Sequence, residues 1–150
     1  MIQIRQATLA DAADIVRLIQ EMDSDGGNRS PLTEAFVAGY LSSPVSAVLL
    51  AVMDGRPADL RQPIGLLAYS IRPDLFHAAS SCYVEELVVA RSQRSQGVGG
   101  ALLDEVLRRA SKAGCAEVSL SVMPDNEQAI RLYRQHGLVD EALFLEKHFK

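Results

Sequence analysis

The stretch from Cys82 to Val122 constrains the fold more than any other part of the chain. Cys82 to Ala90 is an apolar run of strand length, interrupted only by Glu85 and Glu86. A polar junction follows, Arg91-Ser92-Gln93-Arg94-Ser95-Gln96-Gly97-Val98-Gly99-Gly100-Ala101, with three glycines toward its end. Leu102, Leu103, Val106, Leu107 and Ala110 then recur at helical spacing, and Gly114 stands where a left-handed residue closes a helix. Glu117 to Val122 alternates, with Val118, Leu120 and Val122 against Ser119 and Ser121, as a half-buried strand does. A strand, a helix and a second strand in succession form a right-handed parallel crossover.

Elements on either side extend this unit into a sheet. Ile2 to Gln6 reads as a strand, and Thr8 with Asp11 as the cap of a helix whose stripe is Ile15, Leu18, Ile19 and Met22. Asp23 to Asn28 reads as a loop, and Ser30-Pro31 as the opening of a second helix that buries Phe36, Val37, Tyr40 and Leu41. Ala47 to Met53 and Ile64 to Ile71 are strands joined by a polar loop between Pro57 and Pro63, and Gly65 reads as a bulge. Pro124 ends the alternating strand. Asp125 or Asn126 caps a last helix holding Ala129, Ile130 and Tyr133, and Gly137 closes it. Val139 to Phe149 supplies one or two final strands. The early strands are joined by short turns and pair antiparallel. The expectation is one α/β domain over 1–150: a mixed central sheet flanked by helices on both faces.

Composition excludes several classes of function. Net charge is −4, and no long Lys/Arg run offers a nucleic-acid surface. No apolar stretch has the length of a membrane span, and the N-terminus lacks the pattern of a signal peptide, so the expected location is the cytoplasm. Cys82 and Cys115 read as free, small core residues. His77, His136 and His148 show no metal-ligand spacing with each other or with the cysteines, so no metal is expected. Asp23, Asp25 and Glu34 read as solvated loop charges.

The glycine-containing junction carries the chemistry. Glycine lets backbone amides approach a ligand because no Cβ intervenes, and the first amides of a helix carry the positive end of its dipole. That combination is suited to phosphate, and Arg91 and Arg94 add positive charge. A dinucleotide fingerprint fails because Leu102 occupies its third glycine position, and no Gly-Lys-Ser/Thr of a P-loop is present. The pattern that fits is Arg/Gln-x-x-Gly-x-Gly/Ala, filled by Arg94, Gly97 and Gly99.

With that loop, the chain resembles the GNAT superfamily of N-acetyltransferases. Glu85-Glu86-Leu87-Val88-Val89 is similar to the family's cofactor-facing strand, and Asn126 to Leu138 to its Asn-x-x-Ala-x-x-Leu-Tyr-x-x-x-Gly-Phe segment, with Leu138 in place of Phe. Ser95 stands where glycine frequently follows the arginine. The resemblance implies acetyl-CoA as cofactor, held by Arg94, Ser95, Gln96, Gly97, Val98, Gly99, Gly100 and Ala101, by the backbone of Leu87, Val88 and Val89, and by Asn126 and Ala129. It implies Tyr133 as general acid toward the coenzyme A sulfur and Glu85 as the carboxylate serving the amine. Glu85 and Glu86, being adjacent in a regular strand, point to opposite faces, and the bulge that the resemblance implies beside this strand leaves open which of them faces the substrate. The implied activity is acetyl transfer to a primary amine of a small molecule by direct attack in a ternary complex. The alternatives are a protein or peptide N-acetyltransferase and a non-catalytic acyl-CoA-binding domain. A homodimer is expected, the family often pairing through its C-terminal strands.

Overall fold

A computed structural model describes residues 1–23, 30–57 and 61–149. Five strands form one sheet in sequence order: β1 (Ile2–Gln6), β2 (Ser46–Met53), β3 (Gly65–Asp74), β4 (Ala79–Val89) and β5 (Cys115–Ser119). The first four pair antiparallel, and β4 and β5 pair parallel. The helices are α1 (Ala12–Asp23), α2 (Glu34–Leu41), α3 (Val98–Lys112) and α4 (Glu127–Gln135). The mixed sheet between helical layers and the crossover from β4 through α3 to β5 are as the sequence predicts.

Alternation along the strands divides the core in two. Val48, Leu50, Leu66, Ala68 and Val88 face α1 and α2, packing on Ile15, Leu18 and Val37. Leu49, Ala51, Leu67, Tyr69, Cys82 and Val84 face α3, packing on Val98, Leu102, Leu103 and Val106, with Leu132 and Tyr133 of α4 at the margin. Both cysteines are free, and burial pushes the Cys82 thiol up to about 12.

Local signals explain the element ends. The Asp11 carboxylate accepts from the Thr8 N–H at 2.8 Å and holds Arg5 through two 2.8 Å hydrogen bonds, pinning β1 to the start of α1. Asn126 caps α4 by accepting from the Ala129 N–H at 3.2 Å. Gly114 and Gly137 adopt φ of +78° and +88° just beyond α3 and α4.

Several expectations are corrected. Helix α2 begins at Glu34, capped by the Thr33 hydroxyl, because a side chain that accepts from the Phe36 N–H at 3.1 Å makes a better start than Ser30-Pro31. Phe36 is 67% exposed, leaving Val37 as the buried residue of that helix. Gly65 marks no bulge. A Cβ there would lie 2.9 Å from Val98 Cγ1 and 3.2 Å from the Val88 carbonyl oxygen, so its glycine serves the close approach of α3. The last strand stops at Ser119, and Val139 to Phe149 forms no strand and is exposed throughout, because no neighbouring strand among the described residues offers it a ladder. The loop predicted at Asp23 to Asn28 falls mostly outside the described residues, Asp23 itself ending α1.

Candidate active site

The site begins with a mismatch between β3 and β4. Ala68 pairs with Glu86, but the next residue, Tyr69, pairs with Val84, so Glu85 is the extra residue of a β-bulge. The bulge overrides the alternation that would separate the two glutamates in a regular strand. Glu86 lies opposite Ala68, and Glu85 accepts from the Ser70 hydroxyl at 3.1 Å. Ala68 and Ser70 sit two apart in β3 and point to the same side, toward α1 and α2. One extra residue thus turns both carboxylates to one face, both exposed to solvent.

Immediately beyond the bulge, β4 loses its other neighbour. Strand β5 pairs with Ser80, Cys82 and Tyr83 and extends no further along β4, leaving that edge of Val84–Val89 without a strand partner among the described residues. Unpaired backbone groups on a strand edge form a ready row of donors and acceptors for an extended ligand. Two tyrosines flank this region. Tyr133 of α4 is half-buried, and burial, then the charge of Glu86, raises its phenol above the ordinary value. Tyr40 of α2 is raised by burial first and then by the charge of Glu85. Both phenols therefore keep their protons throughout the neutral range.

The junction after β4 forms a short 3₁₀ turn, Arg91–Gln93, and then the start of α3. The Arg91 N–H donates to Glu21 at 2.6 Å, tying the turn to α1, and Arg94 Nε donates to the Val89 carbonyl at 3.3 Å. Ser95 takes φ of +65° and Gly97 φ of +84°, and nothing lies within 4 Å of where a Gly97 Cβ would stand. Ser95 is thus a non-glycine residue in left-handed backbone at the position where glycine is usual. These dihedrals turn the chain so that the first amides of α3 open beside the exposed loop. The free strand edge and this open helix start fit a phosphate-bearing, extended cofactor.

The predicted cofactor residues fall into separate groups. Leu87, Val88 and Val89 line the unpaired stretch of β4, while Arg94, Ser95, Gln96, Gly97 and Val98 form the loop and the helix start. Gly99 has a packing function: a Cβ there would come 3.2 Å from Leu132, so its absent side chain lets α4 approach α3, whereas at Gly100 a Cβ would make only an ordinary 3.6 Å contact with His136. The Ala101 amide bonds the Gly97 carbonyl at 3.0 Å, and Asn126 and Ala129 bond each other in the α4 cap. Sequence reasoning missed Tyr40 beside this region, because helical spacing marks it only as buried, and the bulge that the resemblance implied is placed at Glu85 only by the pairing with β3.

Two surface grooves lie away from this region. One follows the outer side of α4 past Pro124, Ile130 and Arg134; the other lies at the β3–β4 hairpin. At that hairpin Asp74, His77 and Glu117 bring ligand-type atoms within 4.8 Å of one another, although Asp74 Oδ2 already holds His77 Nδ1 and the Ser81 hydroxyl, each at 2.6 Å. No helix among the described residues is long and apolar enough to cross a membrane.

An α/β sheet that parts beside a glycine-opened helix defines a recognised class of protein. The chain belongs to the acetyltransferase (GNAT) family, whose model matches residues 13–138. It is 29% identical over 147 residues to the thialysine N-epsilon-acetyltransferase of Bos taurus, covering 93% of this chain and 85% of that protein. It is 25% identical to the L-2,4-diaminobutyric acid acetyltransferase of Nocardia farcinica over 97% of this chain and 74% of that one. A crystal structure of a transcriptional regulator from Bacillus halodurans shares the fold, with a TM-score of 0.84 at 22% identity over 99% of this chain and all of that one. The chain is an acetyl-transferring enzyme.

Proposed function

We propose that the enzyme moves an acetyl group from acetyl-CoA to a primary amine of a small molecule, the amine attacking directly in a ternary complex. The observation that carries this reading is the bulge at Glu85. It gathers two carboxylates onto one face at the point where β4 leaves β5, between two protonated tyrosines. Two relatives named for their action on thialysine and L-2,4-diaminobutyric acid favour a small-molecule acceptor.

Acetyl-CoA, when bound, supplies an activated thioester and a thiolate leaving group. In this reading the residues Arg94 to Val98 hold its phosphates, and the backbone of Leu87 to Val89 holds its extended arm and orients the acetyl carbonyl. An amine arrives as an ammonium and must lose a proton before it can attack. Glu85, fixed by Ser70 and open to solvent, draws the cation in and accepts that proton through water. Tyr133 holds the proton required at the departing sulfur, and its raised pKa keeps that proton in place.

Thiol release measured against a panel of amines tests this reading. Tyr133→Phe removes the proton donor and leaves the ring's packing intact, so kcat falls about 100-fold or more. Stabilisation of the fold by acetyl-CoA is retained in that variant. Unchanged turnover would remove Tyr133 from the acid role.

A further inference from the structure

The groove at the β3–β4 hairpin lies away from the cofactor edge, but its inner end reaches Tyr83, which stands just before the bulge at Glu85. It measures about 360 Å³, room for a small molecule. Its floor is one face of the sheet. Ser70 and Arg72 sit two apart in β3 and so point to the same side as Ala68. Tyr83 of β4 pairs with Ser70, and Ser119 of β5 pairs with Tyr83, which brings these side chains to that side as well. Glu85 joins the row by accepting from the Ser70 hydroxyl at 3.1 Å. Helices α1 and α2 pack on the apolar part of this face, and Arg72 stands exposed beyond it. The Tyr83 hydroxyl donates to the Ser121 hydroxyl at 3.2 Å, which fixes the ring.

The Arg72 guanidinium carbon lies 5.9 Å from the centre of the Tyr83 ring. Stacking of this kind holds the guanidinium in place and leaves its N–H groups free to donate. Among the described residues no carboxylate pairs with it. The acidic residues of the groove are engaged elsewhere. Asp74 is bonded by the Ser81 hydroxyl and His77 Nδ1, each at 2.6 Å, and by the N–H groups of Phe76 and His77. Asp74 and then Glu117 act on His77, raising its pKa. We propose that Arg72, stacked on Tyr83, binds an anionic group of the acceptor, a carboxylate or a phosphonate, so that the preferred substrates are zwitterions whose amine is acetylated beside Glu85. This rests on the acetyl-transfer reading above. Glu85 draws the ammonium to one end of the row, and Arg72 holds the anion about 7 Å farther along the strand, the advance of two residues. The planar fork of the guanidinium matches two oxygens of the anion, and the Ser119 hydroxyl in the same groove can donate to a further lone pair. A diamine brings like charge to Arg72 and is disfavoured.

The test compares ω-amino acids and ω-aminophosphonates of about four to six carbons with alkylamines and α,ω-diamines of equal length. Thiol release is measured with acetyl-CoA, and binding by calorimetry on the protein loaded with CoA. The parent enzyme favours a zwitterion over the alkylamine about tenfold or more in kcat/KM and in affinity, and Arg72→Gln lowers that ratio about tenfold, chiefly through KM. Arg72→Lys, which keeps the charge and loses the fork, retains part of the preference. A preference confined to carboxylates or to phosphonates, and abolished by Arg72→Gln, supports the subsite and identifies its anion. Equal use of zwitterions and alkylamines, better use of the diamines, or a preference that Arg72→Gln leaves unchanged overturns the subsite while leaving acetyl transfer intact. Preferential binding of a zwitterion, weakened by Arg72→Gln but with no thiol release for any amine, overturns the transfer reading and leaves the subsite standing.

Discussion

Asp11 shows how one side chain fastens two elements. It is buried, and its carboxylate accepts from both terminal nitrogens of Arg5 and from the Thr8 N–H. The Arg5 hydrogen bonds, the largest effect, hold its pKa below the ordinary carboxylate range; burial pulls the other way, and Thr8 adds to the lowering. A folded value below the unfolded one means that the pair stabilises the fold above the unfolded pKa, near about 4, and loses that contribution as pH falls through the folded value. Asp11→Asn, which keeps the shape and removes the charge, costs about 1–3 kcal/mol in denaturant unfolding at neutral pH. The cost shrinks in acid, and a pH-independent difference would contradict the assignment. The sequence already pointed to Thr8 and Asp11, because a cap is a local device. It did not reveal that Glu85 and Glu86 share a face, because that depends on which residue of β3 each one meets.

At the scale of elements, glycines with opposite surroundings separate packing from propensity. At Gly65 an added Cβ meets Val98 and the Val88 carbonyl, whereas at Gly39 in α2 it meets nothing within 4 Å. Gly65→Ala therefore destabilises by about 1–3 kcal/mol, while Gly39→Ala stabilises by about 0.5–1 kcal/mol through helix propensity. Thermal unfolding of the two variants checks the contrast, and a loss at Gly39 or a neutral result at Gly65 would contradict it. The elements were largely legible from the sequence, since β2, α3 and α4 follow from apolar period and from Asn126, Gly114 and Gly137 at their ends. The C-terminal segment was misread because composition alone gives Val139 to Phe149 the look of a strand. A strand also requires a neighbour, and sequence periodicity says nothing about neighbours.

For the whole molecule, the sheet supplies rigidity, and its antiparallel part carries one irregularity, the bulge at Glu85. The antiparallel meander β1 to β4 is continuous until the bulge, and the parallel strand β5 leaves β4 just before it. Everything assigned a role in the transfer step lies on β4, on the junction after it, or on the flanking helices, with Ser70 of β3 bracing Glu85. The proposed chemistry depends on acetyl-CoA binding at the β4 edge and at the start of α3. Thermal unfolding with and without acetyl-CoA and free CoA tests it most directly, because a ligand bound only by the native state stabilises by about 2.7 kcal/mol at a hundredfold excess over its Kd. A clear rise in Tm is expected with both ligands, lost in Gly97→Asp, which places a side chain and a negative charge in the open space of the loop. An unchanged Tm at saturating cofactor, or an equal rise in that variant, would contradict it.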